Sequence, residues 1–169
     1  MLTNFISKEQ IEERILKLGQ QITEDYKGEE IIIAAILNGS FMFCADLTRQ
    51  INLEMDIDFM SISSYGDGTK SSGQVRVDLD LRKNIQGKNV LIIEDIVDSG
   101  RTIAKLLELL KTRNPKSLKV CTLLSKPSRR EIDVKLDYVG FVIEDKFVIG
   151  YGLDDMGKKR NLSFVAVKN

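Results

Sequence analysis

Three carboxylates crowd one short stretch of this chain. Glu94 and Asp95 follow an apolar run at residues 90–93, and Asp98 stands ahead of Ser99, Gly100, Arg101 and Thr102. A helical spacing then begins, with Ile103, Leu106, Leu107 and Leu110 at i, i+3, i+4 and i+7. The pattern reads as a buried strand, a short loop and a helix N-terminus. Such a terminus gathers backbone N–H groups and positive dipole, so it binds phosphate well. A phosphate cradle alone gains nothing from acids. A site that holds phosphate, sugar hydroxyls and a metal ion does.

Other chemistries are excluded by what the chain lacks. It contains no histidine, which removes the commonest general base and the commonest transition-metal ligand. Catalysis must then rest on carboxylates, lysine, tyrosine or the backbone, and any metal is expected to be hard and oxygen-bound. There is no GxxxxGK[ST] loop, no GxGxxG after a strand, no GxSxG elbow, no HExxH and no CxxC.

The elements that must position these residues follow from periodicity. Residues 7–26 carry an amphipathic helix pattern, with Ile11, Ile15, Leu18 and Ile22 as its stripe and Ser7 with Gln10 as a capping box. Residues 30–37 form a continuous apolar run, suited to a strand buried on both faces. Asn38, Gly39 and Ser40 end it as a turn or as a close approach to an anion. A helix follows, with Phe41, Cys44, Ala45, Thr48 and Ile51 on its expected inner face. Further strands are expected at 56–63, 75–81, 118–124, 138–143 and 162–167. Residues 64–74 are rich in Gly, Ser and polar groups and read as a loop, of a length that suits an active-site lid. This order predicts one α/β domain over 1–169 with a mainly parallel central sheet flanked by helices. In such sheets ligands sit beyond the carboxyl ends of the strands, where Asn38, residues 94–102 and Lys126 all fall.

Bulk properties narrow the partners. The net charge is zero and the pI near 6.4, which argues against a broad nucleic-acid footprint. No apolar run approaches the ~20 residues of a membrane span. The N-terminus reads as polar and helical, without a secretory layout. Cys44 and Cys121 lie within apolar patterns, away from metal-ligand spacing, and are expected to be reduced core thiols. A cytoplasmic protein is expected, with no nucleic-acid or membrane partner.

The stretch from Glu94 to Thr102 closely resembles the motif by which type I phosphoribosyltransferases bind PRPP (5-phosphoribosyl 1-diphosphate). Leu37-Asn38-Gly39-Ser40, Ser64-Tyr65, Lys126, Asp145-Lys146-Phe147-Val148 and Gly150-Tyr151-Gly152-Leu153-Asp154 with Arg160 are similar to the hypoxanthine-guanine branch. The likeness runs from about residue 30 to the C-terminus. It implies the type I fold, with a small hood built from the terminal segments. It implies transfer of a phosphoribosyl group to hypoxanthine or guanine, with release of pyrophosphate, and magnesium as cofactor. Small-molecule substrates and a homodimer or homotetramer are the implied partners.

The same resemblance distributes roles. Ser99, Gly100, Arg101 and Thr102 hold the 5′-phosphate, and Gly100 permits the close approach. Glu94 and Asp95 face the ribose hydroxyls, which donate strong hydrogen bonds to carboxylates. Asp98 is the candidate general base, facing N7 of the purine; capping the helix is its plainer alternative. Lys126 donates to the 6-oxo group, Phe147 stacks on the base, and Val148 offers backbone groups to its edge. Asp154 lies by the purine and by a magnesium ion on pyrophosphate, with Glu94 and Asp95 as further metal contacts. Asn38, Gly39 and Arg160 meet pyrophosphate, and the Leu37–Asn38 peptide is implied to be cis. Ser64 and Tyr65 mark the tip of a mobile loop spanning about 64–75. Two rivals share the motif: a xanthine-preferring enzyme, and a PRPP-sensing regulator that binds nucleic acid on the same fold.

Overall fold

A strand that is apolar on every side chain must be covered on both faces, and this requirement arranges the molecule. The computed structural model describes residues 2–64 and 75–168. In chain order the elements are β1 (Leu2–Ile6), α1 (Lys8–Asp25), β2 (Ile31–Ile36), α2 (Phe41–Thr48), β3 (Met55–Ser64), β4 (Val75–Leu79), β5 (Asn89–Val97), α3 (Arg101–Lys111), β6 (Ser117–Ser125), β7 (Tyr138–Val142), β8 (Val148–Ile149) and β9 (Val165–Lys168). A single 3-10 turn, Pro127–Arg129, follows β6.

The main sheet has the order β4-β3-β2-β5-β6-β7. Its inner pairs β2–β3, β2–β5, β5–β6 and β6–β7 are parallel, and the edge pair β3–β4 is antiparallel. Side chains alternate between the faces. Ile31, Ile33, Ala35, Leu91, Ile93 and Cys121 join one core with α1 and α2, and Ile32, Ala34, Ile36, Val90, Ile92 and Val120 join another with α3. On α3, Ile103, Leu106 and Leu110 are the buried stripe, at the expected spacing.

The connection from β2 runs through α2 to β3 on one side, and that from β5 through α3 to β6 on the other. The strand order therefore reverses between β2 and β5. This opens a crevice at their carboxyl ends, the place where open α/β sheets bind ligands.

A second sheet, β1-β9-β8, joins the two chain ends. β1 pairs antiparallel with β9, with Leu2 opposite Lys168. This corrects the expectation of a polar helical start. Leu2–Ile6 has too little periodicity to announce a strand, and the partner that makes it one lies at the other end of the chain. The helix after it begins as expected. The Ser7 hydroxyl accepts from the Gln10 N–H, and the Gln10 side chain accepts from the Ser7 N–H.

The inner face of α2 is also corrected. Phe43, Cys44, Leu47 and Thr48 are buried, whereas Phe41 and Ala45 are exposed. This short helix carries apolar residues in two phases, and contact with the sheet selected between them. β4 ends at Leu79 and exposes Val77 and Leu79, because an edge strand has only one neighbour. β9 covers Val165–Lys168 rather than 162–167.

Packing energetics follow from burial. Leu106 is fully buried, whereas Leu16 on α1 is 47% exposed. Leu106→Ala should lower unfolding free energy by about 2–5 kcal/mol and Leu16→Ala by less than about 1 kcal/mol. Urea denaturation followed by circular dichroism compares them, and equal losses would contradict this assignment of the core.

Candidate active site

The crevice between β2 and β5 holds a cavity of about 480 Å³. Asn38, Gly39, Glu94, Asp95, Asp98, Ser99, Gly100, Thr102, Asp154 and Arg160 contribute to its wall. These ten residues come from three separate segments. All are among those singled out from the sequence.

The first segment is the end of β2. The Leu37–Asn38 peptide is cis. Gly39 lies so close to Asp95 that a Cβ there would overlap its carboxylate. A side chain at this position would therefore displace the acid.

The second segment is the end of β5 and the start of α3. Glu94 is buried, and Asp95 beside it is partly buried. Burial, then the neighbouring Asp95 charge, pushes the Glu94 carboxyl well above the usual carboxylate range. Burial also raises Asp95, against hydrogen bonds from Glu94 and the Ile96 N–H and the charge of Arg160. Both acids of the pair are thus held above the usual carboxylate range. Such a pair is completed by hydroxyl donors or a cation.

Gly100 caps α3 in the left-handed conformation, at φ 82°, with no side-chain cap. Asp98 therefore does not cap the helix. A Cβ at Gly100 would crowd the Ile132 carbonyl at 2.7 Å, so the position favours glycine twice over. The Ser99 hydroxyl accepts from the Arg101 N–H at 3.3 Å. The Arg101 side chain pairs with Glu131, away from the cavity wall.

Arg130 supports this loop and was not legible from the sequence. Its Nε donates to the Asp98 carbonyl at 3.0 Å, and its Nη2 donates to the Ser125 hydroxyl at 2.9 Å. The N–H groups of Glu131 and Ile132 donate to the Ser99 carbonyl at 2.9 and 3.0 Å. The segment after β6 thus braces the loop after β5. The basic pair Arg129-Arg130 after Lys126-Pro127-Ser128 was the available signal, but it does not say where either guanidinium points.

The third segment is the turn after β8. Gly150, Tyr151 and Gly152 have φ values of 91°, 49° and 99°. A Cβ at Gly152 would overlap the Gly39 carbonyl. The Tyr151 hydroxyl donates to Asp46 on α2, which anchors the turn. Beyond it, Arg160 Nη1 donates to the Gly152 carbonyl at 2.7 Å, and Nη2 lies 3.3 Å from Asp154 Oδ1. The Gly157 N–H donates to Asp154 Oδ2 at 2.7 Å.

Lys126, Phe147 and Val148 lie beyond the wall of that cavity. Lys126 is buried, and its Nζ stands 3.7 Å from Asp98 Oδ1, which ties it to the crevice. Phe147 is 58% exposed, unusual for a ring with no surface task. Val148 is buried in β8, opposite Val167. Ser64 is the last residue of β3. Tyr65 and the rest of the expected mobile loop up to residue 74 lie outside the described residues.

For magnesium, the available donors are oxygens, as a hard cation requires. Among the described residues no group of three or more acidic or sulfur side chains could hold a metal by itself. The carboxylate oxygens of Asp154, Glu94 and Asp95 at the crevice suit such an ion in kind.

Comparison with known proteins agrees with this geometry. The family model for the phosphoribosyl transferase domain matches residues 3–156. The hypoxanthine phosphoribosyltransferase of Salmonella typhimurium is 51% identical over 162 residues, covering 95% of this chain and 91% of that protein. Its Escherichia coli counterpart is 48% identical over the same shares. A crystal structure of a hypoxanthine-guanine phosphoribosyltransferase from Bacillus anthracis, with HEPES in its active site, superposes with a TM-score of 0.95 at 48% identity, over 99% of this chain and 98% of that one. Matched in family model, relatives and architecture, the chain belongs to the phosphoribosyl transferase family.

Proposed function

We propose that this enzyme transfers the 5-phosphoribosyl group from PRPP to N9 of hypoxanthine, and also of guanine, giving IMP or GMP and pyrophosphate. One observation carries the reading. A glycine-capped helix start, an acid pair with Glu94 buried, and a buried lysine meet at one crevice, in a chain about half identical to relatives named for that reaction.

In this reading the 5′-phosphate lies against the N–H groups at the start of α3 and the hydroxyls of Ser99 and Thr102. Glu94 and Asp95 accept from the ribose hydroxyls, and their charge favours a ribosyl centre that turns cationic as pyrophosphate leaves. Asn38, Gly39 and Arg160 receive the pyrophosphate; an arginine fork suits its oxygens. Magnesium, when bound with the diphosphate, would neutralise phosphate charge, held in part by Asp154, Glu94 and Asp95. The purine stacks on Phe147. β8 is the edge of its sheet, so backbone groups near Val148 are available to the base edge. Lys126 donates to the 6-oxo group and disfavours a 6-amino base, which would present a donor instead. Asp98 accepts the N7 proton as N9 attacks. Closure by the loop around Ser64 and Tyr65 would exclude water.

The wider reading is a cytoplasmic homodimer or homotetramer, with the small sheet as a hood beside the base. Ile57, Phe59 and Leu79 are exposed and share the α2-covered face of the sheet, which supports burial against a second copy. Both cysteines are buried free thiols, as a reducing compartment favours. Among the described residues no helix is long and apolar enough to cross a membrane.

Parallel assays with hypoxanthine, guanine, xanthine and adenine test the function. PRPP- and magnesium-dependent nucleotide should form with the first two, and a xanthine-dominated profile would overturn the substrate assignment. Asp98→Asn should lower kcat roughly 10²–10⁴-fold while the KM for PRPP stays within about threefold. An unchanged kcat would remove Asp98 from the proton transfer. Lys126→Ala should cut kcat/KM for hypoxanthine roughly 10–100-fold and affect adenine less. Equal losses for both bases would refute recognition of the 6-oxo group.

The acid pair sets a pH dependence. The folded-state pKa of Glu94 lies above its unfolded value of 4.5. Between those values the folded chain holds a proton that the unfolded chain has lost, so stability falls as pH rises through the window. Glu94→Gln removes this ionisation. Thermal melts of substrate-free protein in chelating buffer should show the variant melting above the parent at about pH 8, with the gap closing toward pH 4.5. A gap independent of pH would contradict the origin assigned to it.

A further inference from the structure

A buried ammonium needs compensating negative charge at every stage of a reaction, not only before it starts. The Lys126 side chain is 9% exposed, and its Nζ stands 3.7 Å from Oδ1 of Asp98 and 3.7 Å from Oδ1 of Asp145. The two carboxylates reach it from different segments. Asp98 comes from the loop after β5, and Asp145 from the connection between β7 and β8.

These partners are not equivalent. In the reaction proposed above, Asp98 takes a proton and its charge disappears. Lys126 would then have only the dipole of the 6-oxo group to face. Asp145 has no such task. Its second oxygen, Oδ2, accepts from Arg129 Nη1 at 3.4 Å, which turns Oδ1 toward Lys126. The Arg129 contact is solvated on both sides and contributes little stability by itself. Its effect is orientation. Asp145 also stands two residues before Phe147, so one short segment fixes both the lysine and the stacking ring.

We propose that Asp145 is a positioning residue for base recognition, holding Lys126 aimed so that Asp98 can leave the ion pair to serve as base. This rests on the roles given above to Lys126 and Asp98. Asp145 acts through the lysine and touches neither purine nor PRPP. Its loss therefore falls on the base and on discrimination at the 6-position, and spares PRPP.

Steady-state kinetics on full-length wild type, Asp145→Asn, Asp145→Glu, Lys126→Ala and the double variant Lys126→Ala/Asp145→Asn test this. Asp145→Asn should raise the KM for hypoxanthine about tenfold, narrow the preference for hypoxanthine over adenine, and leave the KM for PRPP within about twofold. Asp145→Glu should restore part of the loss. On the Lys126→Ala background, Asp145→Asn should add less than about a further twofold, because the group through which it acts is gone. An unchanged hypoxanthine KM, an equal rise for PRPP, or full additivity in the double variant would overturn the proposal. Should Asp145→Asn fail to fold in a thermal melt, Asp145→Ala, which also lacks the carboxylate, decides: a raised hypoxanthine KM with PRPP unaffected supports it, and wild-type values for both overturn it. Failure of the underlying reading looks different, because wild type itself would then form no nucleotide from hypoxanthine and PRPP.

Discussion

The parallel pairing of β2 with β5 is the constraint on which the rest depends. Ile31 to Ala35 pair in register with Asn89 to Ile93, so the two strands end side by side. One carries Asn38 and Gly39 past its end, and the other carries Glu94, Asp95 and Asp98. Because the chain leaves these strands in opposite directions, no helix covers the gap between their ends. The apolar side chains of β2 and those of β5 up to Ile93 are buried. A slip of one residue would reverse the face of every one of them. Hydrophobic packing therefore holds the register that keeps Gly39 against Asp95.

Charge is the second organising influence. With no histidine in the chain, proton chemistry falls to carboxylates whose surroundings differ. Glu94 and Asp95 are adjacent, desolvated and raised in proton affinity. Asp98 faces a lysine instead. Three acids of one short loop are thereby separated into a pair that awaits hydroxyls or a cation and a single carboxylate beside an ammonium. The separation is enforced from outside the loop, by Arg160 near Asp95 and Lys126 near Asp98.

The segment from Lys126 to Ile132 links two halves of the crevice. Lys126 reaches Asp98, Arg130 holds the Asp98 carbonyl, and the next two N–H groups hold the Ser99 carbonyl. Lys126 and the loop after β5 are thus braced by the same few residues. Motion of either would be felt by the other. On the opposite wall, Gly152 packs against Gly39, and Tyr151 is tied to α2 through Asp46.

The amino-acid sequence by itself determined the strand-loop-helix at residues 90–110, the buried run that became β2, the capped start of α1, and the polar residues that line the cavity. These are local properties: periodicity, capping chemistry and the left-handed glycine are written within a few neighbouring positions. Tertiary structure alone decided that Leu2–Ile6 is a strand, which face of α2 turns inward, that Arg101 pairs with Glu131, that Arg130 braces the loop after β5, and that Asp145 stands beside Lys126. Each of these rests on a partner far along the chain or on a choice between equally apolar faces, and no local pattern encodes either. The acids after β5 illustrate the division. Their spacing marked them as a site, but the burial that raises Glu94 and Asp95, and the distant cations beside Asp95 and Asp98, exist only once the sheet has closed around them.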